Sequence, residues 1–139
     1  MKKSILILGA LITLNVNAQL VVKETVKDTV VWQASKLGAL PKIVKFTNDG
    51  SEYYTIYYKN EKYKTLNDIN YLSTSDIKTT VQFYELCQSA IMEDKEYNIK
   101  IDGKTIILQK TLGSAFIFMD GSYFTLNSNQ LISILESLK

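Results

Sequence analysis

Between Lys42 and Ser73 apolar and polar residues alternate in short runs broken by turn-forming pairs. Lys42–Thr47 reads as a strand leading into Asn48-Asp49-Gly50-Ser51, and Glu52–Lys59 as its tyrosine-rich partner. An Asp-Gly pair between two such runs predicts a β-hairpin, because the tight turn needs positive φ and glycine supplies it without a steric penalty. A second turn is expected at Asn60-Glu61, with the chain returning through Lys62 to Leu66. Ile69–Ser73 follows as another short strand. Upstream, Thr29–Gln33 is β-branched and aromatic, which suits a short strand. Ser35–Pro41 holds Gly38 and the single proline and reads as a connector.

The rhythm then changes from two to three-and-four. Over Ser75–Met92 the residues Ile77, Val81, Tyr84, Cys87 and Ile91 share one helical face, with Thr80 between them. Phe83 and Ala90 widen that face, so the helix is expected to lie across a sheet. Ser75 is placed to cap its amino end, and Asp76 to complement the helix dipole. After Glu93-Asp94-Lys95-Glu96 the period returns to two. Tyr97–Ile101 and Lys104–Lys110 flank Asp102-Gly103; Ser114–Met119 and Ser122–Leu126 flank Asp120-Gly121, and Leu112-Gly113 joins the pairs. A last helix over Ser128–Leu138 places Leu131, Ile134, Leu135 and Leu138 along one face, with Asn127 or Ser128 as its cap.

Grouped strands and two helices predict an α+β domain. The expected architecture is an antiparallel sheet of hairpins with a long central helix and a C-terminal helix packed on one face, in the order strands–helix–four-strand meander–helix. From Ile69 onward that order is similar to the one in helix-grip and TATA-binding-type folds, a likeness of topology that fixes no function. Asp49-Gly-Ser-Glu-Tyr-Tyr-Thr and Asp120-Gly-Ser-Tyr-Phe-Thr echo each other without a fixed repeat period, as two hairpins solving the same turn problem would.

The amino terminus obeys neither rhythm. Lys2 and Lys3 precede an apolar run from Ile5 to Leu14, which ends in Asn15-Val16-Asn17-Ala18 before Gln19. A basic start, a short apolar core and small residues at the −3 and −1 positions describe a cleavable secretory signal. The apolar core is far shorter than the roughly 20 residues a spanning helix needs. The expected organisation is a signal peptide at 1–18, a partly ordered lead-in at 19–41 and one α+β domain at 42–139. The mature protein is expected in the periplasm or outside the cell, without a stable membrane anchor.

Composition narrows the chemistry further. Cys87 is the only cysteine, so an exported form has no internal disulfide and must be held by packing. The chain carries 16 basic and 14 acidic residues; with Lys2 and Lys3 removed the two signs balance. Every basic residue is lysine, so the guanidinium forks that read phosphate and guanine are missing, and no nucleic-acid partner is expected. There is no histidine, the commonest general base at neutral pH and a common metal ligand. No catalytic set, metal site or cofactor is assigned. Glu93, Asp94 and Glu96 lack the spacing of a calcium loop, and no Asp-Gly turn extends into one. The glycine–serine pairs at 50–51, 113–114 and 121–122 stand outside any nucleophile elbow. Cys87, on the apolar side of its helix, reads as a core residue.

Tyrosines are the remaining signal. Tyr53, Tyr54, Tyr57, Tyr58 and Tyr63 crowd one hairpin. On a strand Tyr53 and Tyr57 share a face with Thr55, while Tyr54 and Tyr58 share the other with Ile56. One face can serve the core, leaving a tyrosine pair on the other, where a ring with a polar tip suits a sugar or a peptide. These five are the candidate binding residues for a protein or small-molecule partner in the envelope or outside the cell. The expected function is a non-catalytic exported binding module. The alternatives are a small hydrolase working without histidine, or a structural subunit that self-associates through a sheet edge.

Overall fold

The computed structural model describes residues 26–34, 40–63 and 68–139. The expected signal peptide, the start of the lead-in, most of the Ser35–Pro41 connector and the end of the Lys62–Leu66 return lie outside the described residues. Four strands come first: β1 (Lys27–Gln33), β2 (Lys42–Asn48), β3 (Ser51–Lys59) and β4 (Ile69–Thr74). Helix α1 (Ile77–Glu93) follows, then β5 (Tyr97–Ile101), β6 (Lys104–Thr111), β7 (Ser114–Met119), β8 (Ser122–Asn127) and helix α2 (Ser128–Ser137). This is an α+β fold built from antiparallel hairpins and two helices.

The strands form two four-stranded meanders, β1-β2-β3-β4 and β5-β6-β7-β8, where a single sheet was expected. The division follows from β4, which pairs with β3 alone before the chain leaves into α1. From Ile69 onward the expected order of strand, helix, four strands and helix is present, with β4 paired to the first meander and not to the second. The two sheets meet where β3 runs on into Asn60 and Glu61. Glu61 N–H donates to the Tyr123 carbonyl at 2.9 Å, and Tyr123 N–H donates to Asn60 Oδ1 at 3.2 Å. Thr125 N–H donates to Glu61 Oε2 at 2.7 Å. Two residues thus cap part of the β8 edge, which would otherwise present unpaired backbone groups.

One core lies between the sheets and the helix pair. Ile43, Ile56 and Leu72 stand opposite one another across β2, β3 and β4, and all three are buried. Ile106, Leu108, Ala115, Ile117, Phe124 and Leu126 do the same for the second sheet. Tyr58 joins the halves: its ring stacks on Phe124 at 4.1 Å, and its hydroxyl hydrogen-bonds Ser122 Oγ at 2.8 Å. Helix α1 lies on β6 and β7 and reaches β3 and β4, α2 lies on β1 and β8, and the helices touch each other.

Local chemistry explains the helix ends. Asp76, rather than Ser75, is the N-cap of α1, its carboxylate accepting from Thr79 N–H at 2.7 Å. That bond holds the Asp76 carboxyl below the usual carboxylate range. Asn127 caps α2 in a reciprocal box with Gln130. The buried stripe of α1 is Thr80, Phe83, Tyr84, Cys87 and Ala90, which is rotated from the expected one. Ile77 is left exposed and Val81 and Ile91 half-buried, because the bulk of Phe83 and the smallness of Ala90 set the centre of the contact.

Candidate binding face on the first sheet

The side of the first sheet that faces away from the core is built by strand parity. The Asp49-Gly50 turn, with φ of 50° and 79°, fixes a two-residue hairpin that sets Phe46 opposite Tyr53. Two residues on, Val44 faces Thr55, and Thr55 faces Ser73 on β4; next come Lys42, Tyr57 and Tyr71 in one row. All of these side chains share the outer face.

They make a bowl. Its floor is Thr55 and Ser73, whose hydroxyls hydrogen-bond each other at 2.8 Å. One wall is the Phe46–Tyr53 pair, with ring centroids 5.1 Å apart and nearly parallel. The other is the Tyr57–Tyr71 pair, 6.3 Å apart and tilted by 48°. The depression these six residues line is open and about 400 Å³. A second depression of about 390 Å³ adjoins it, sharing Phe46 and Tyr57 and extending to Lys42, Ile69 and Asp28. Each falls toward the small end of ligand pockets, which run from about 300 to 1,000 Å³. Thr55 is buried beneath the rings although it lies on the outer face, while Tyr71 keeps 56 % of its surface exposed.

Two ammonium groups attend the Tyr57–Tyr71 wall. Lys42 Nζ lies 6.0 Å from the Tyr57 centroid, and Lys104 Nζ, arriving from β6, lies 5.3 Å from that of Tyr71. An ion pair joins Lys45 to Glu52 at 3.5 Å and involves neither of these lysines. A cation over a ring is held by about 0.5–1 kcal/mol at exposed sites, so both stems can swing toward a stronger anionic partner.

The five tyrosines read from sequence therefore separate. Tyr53 and Tyr57 come together on the outer face, one in each wall. Tyr54 and Tyr58 turn the other way, because they share parity with Ile56, and both are buried in the core. Burial pushes the hydroxyls of both above the usual tyrosine value, with Glu52 adding to the effect at Tyr54 and the Ser122 bond opposing it at Tyr58. Tyr63 sits beyond β3 with Lys62 Nζ 5.5 Å over its ring and lines neither depression. Lys42, Phe46, Tyr71, Ser73 and Lys104 are not among the residues the sequence singles out. Phe46 was within reach of the sequence, since a two-residue Asp-Gly turn dictates its partner. Tyr71 was not, because the β3–β4 connection is long and leaves register open; Lys104 arrives from the other sheet.

Ser73 Oγ is bonded to the Thr55 hydroxyl, and no carboxylate lines the bowl itself. Cys87 is fully buried and its thiol is pushed far above the usual range, so the thiolate needed for attack is suppressed. Among the described residues no group of three or more Cys, Asp or Glu could hold a metal ion, and no helix is long and apolar enough to cross a membrane. Comparison of the chain with protein-family models, curated proteins and solved structures finds no match in any of the three.

Proposed function

We propose that this protein is an exported, non-catalytic binding module whose contact surface is the outer face of its first sheet. The observation that carries the reading is the aromatic-walled bowl over Thr55 and Ser73: four rings outside the core cluster, gathered on three paired strands. Rings exposed with polar tips supply contact area at low entropic cost and are favoured where proteins bind. Export is supported by the basic, apolar and small-residue order of residues 1–18.

The test is a crosslinking capture with the exported chain as bait in envelope and culture-medium extract, read by mass spectrometry. Tyr53→Ala with Tyr71→Ala is expected to abolish capture while lowering Tm by no more than about 5 °C, because two surface changes of up to about 0.5 kcal/mol each total about 1 kcal/mol. Capture that survives the double variant overturns the assignment of this face. A chain recovered from the medium or envelope that does not begin at Gln19 overturns the cleavage site, and one retained in the cytoplasm overturns export.

A further inference from the structure

We infer that the bowl binds an acidic saccharide, a pyranose carrying a carboxylate. The inference rests on the outer face being the binding face and goes on to name what it holds.

Interior strands narrow the options first. β2 and β3 are paired on both sides, so their backbone amides are committed to the ladder. A peptide cannot add to these two strands, and the open edge of β4, the last strand of the sheet, lies beside the bowl and not across its rings, so strand addition does not occupy the bowl itself. Recognition must come from side chains. Those present are of three kinds: aromatic walls, a hydroxyl floor, and two ammonium groups beside the Tyr57–Tyr71 wall, Lys42 in the adjoining depression and Lys104 reaching Tyr71 from the second sheet.

Each kind answers one feature of an acidic sugar. A pyranose has apolar C–H faces that lie against rings such as Tyr57 and Tyr53, and a periphery of hydroxyls. The Thr55 and Ser73 hydroxyls share one hydrogen bond, and each offers two acceptor lone pairs with a single donor, so the pair retains capacity for the ligand. Asp28, at the far end of the adjoining depression, is an acceptor for sugar hydroxyls. In the strand register it stands opposite Phe46, four residues along β2 from Lys42, so it is remote from the cationic end. The ligand's carboxylate is taken by Lys42 and Lys104, which flank neighbouring rings from two different sheets. A neutral proline-rich peptide would use the rings and leave both ammonium groups unanswered. A ligand cation is disfavoured, because the site's own lysines already lie over Tyr57 and Tyr71.

Isothermal titration of the full-length exported chain with oligogalacturonate, neutral malto-oligosaccharide and oligoglutamate tests this. Oligogalacturonate is expected to bind, to weaken at least tenfold in Tyr57→Ala or Tyr71→Ala, and to weaken several-fold in Lys42→Ala or Lys104→Ala. Its affinity should also fall as salt rises from 50 to about 300 mM, as screening of exposed charges requires. Equal binding of the neutral oligosaccharide, with no effect of the lysine variants, overturns the acidic ligand. Equal binding of oligoglutamate overturns the sugar. Failure of all three probes overturns the inference; if capture from extract still depends on Tyr53 and Tyr71, the binding face itself stands. Tm measured on each variant separates lost binding from lost folding.

Discussion

Leu112 is the residue most at odds with its surroundings. It occupies the β6–β7 turn with φ of 50°, where the other two-residue turns place Asp, and its side chain is fully exposed. A left-handed conformation costs an ordinary L-residue roughly 1–2 kcal/mol, while asparagine visits it readily. Leu112→Asn is therefore expected to raise Tm by about 2–5 °C, the shift that roughly 1 kcal/mol produces in a domain of this size. A thermal melt that is unchanged or lower would show that Leu112 gains something from that position. The opposite case is Cys87, with no exposed surface and a thiol held protonated by burial. It should resist a thiol reagent in native buffer and react fully in denaturant. The buried tyrosines carry a pH consequence. Burial raises the hydroxyls of Tyr54, Tyr58 and, most strongly, Tyr84 above the value they regain on unfolding. The unfolded chain then loses those protons first. The contribution of these hydroxyls is fully present below about pH 10 and falls as pH rises beyond it, so the denaturation midpoint should drop between pH 10 and 12.

At the level of elements, the hairpins were the most legible part of the chain. Asp49-Gly50, Asp102-Gly103 and Asp120-Gly121 each form a two-residue turn with both φ values positive, as the dipeptide requires. That same chemistry made half of the bowl readable, since the Asp49-Gly50 turn and strand parity together place Tyr53 and Tyr57 outward beside Phe46. The division into two sheets was not readable. It depends on which strand β4 chooses, and no tight turn sets that choice. The helix ends were read to within a residue or two, and the difference is instructive. Ser75 and Asp76 are both good caps, but the Asp76 carboxylate is the one that reaches Thr79 N–H. Because this bond lowers the folded carboxyl's proton affinity, the cap's contribution is present at neutral pH and is lost as pH falls below about 4. Asp76→Asn keeps an acceptor and should flatten that acid dependence, whereas Asp76→Ala should lower Tm by a few degrees at neutral pH. Melts of the three proteins at pH 7 and pH 3 decide it.

For the molecule as a whole, the question is whether two sheets joined by a two-residue clip behave as one. The helices answer it structurally: α1 follows the first meander yet lies mainly on β6 and β7, and α2 follows the second yet reaches back to β1. Each meander therefore lacks half of its covering without the other. The two ends of the described chain are tied as well, since Trp32 Nε1 on β1 donates to Ser133 Oγ on α2 at 3.0 Å. Trp32 is the single tryptophan, so its fluorescence reports closure of that contact while far-UV dichroism reports the strands and helices together. The two signals are expected to trace one coincident transition, the mark of a single cooperative unit. The clip sets how firmly the halves hold. Glu61→Ala removes the acceptor of Thr125 N–H and should cost about 1–3 kcal/mol, the penalty for leaving a partly buried donor unpaired. Tyr58→Ala, which empties the shared core beside Phe124, should cost about 3–5 kcal/mol. If the fold is one unit, both variants lower the midpoint of both signals equally. Two separated transitions in either variant would mean that the meanders fold apart and only dock, and the Lys104 ammonium beside Tyr71, supplied from the second sheet, would then depend on that docking.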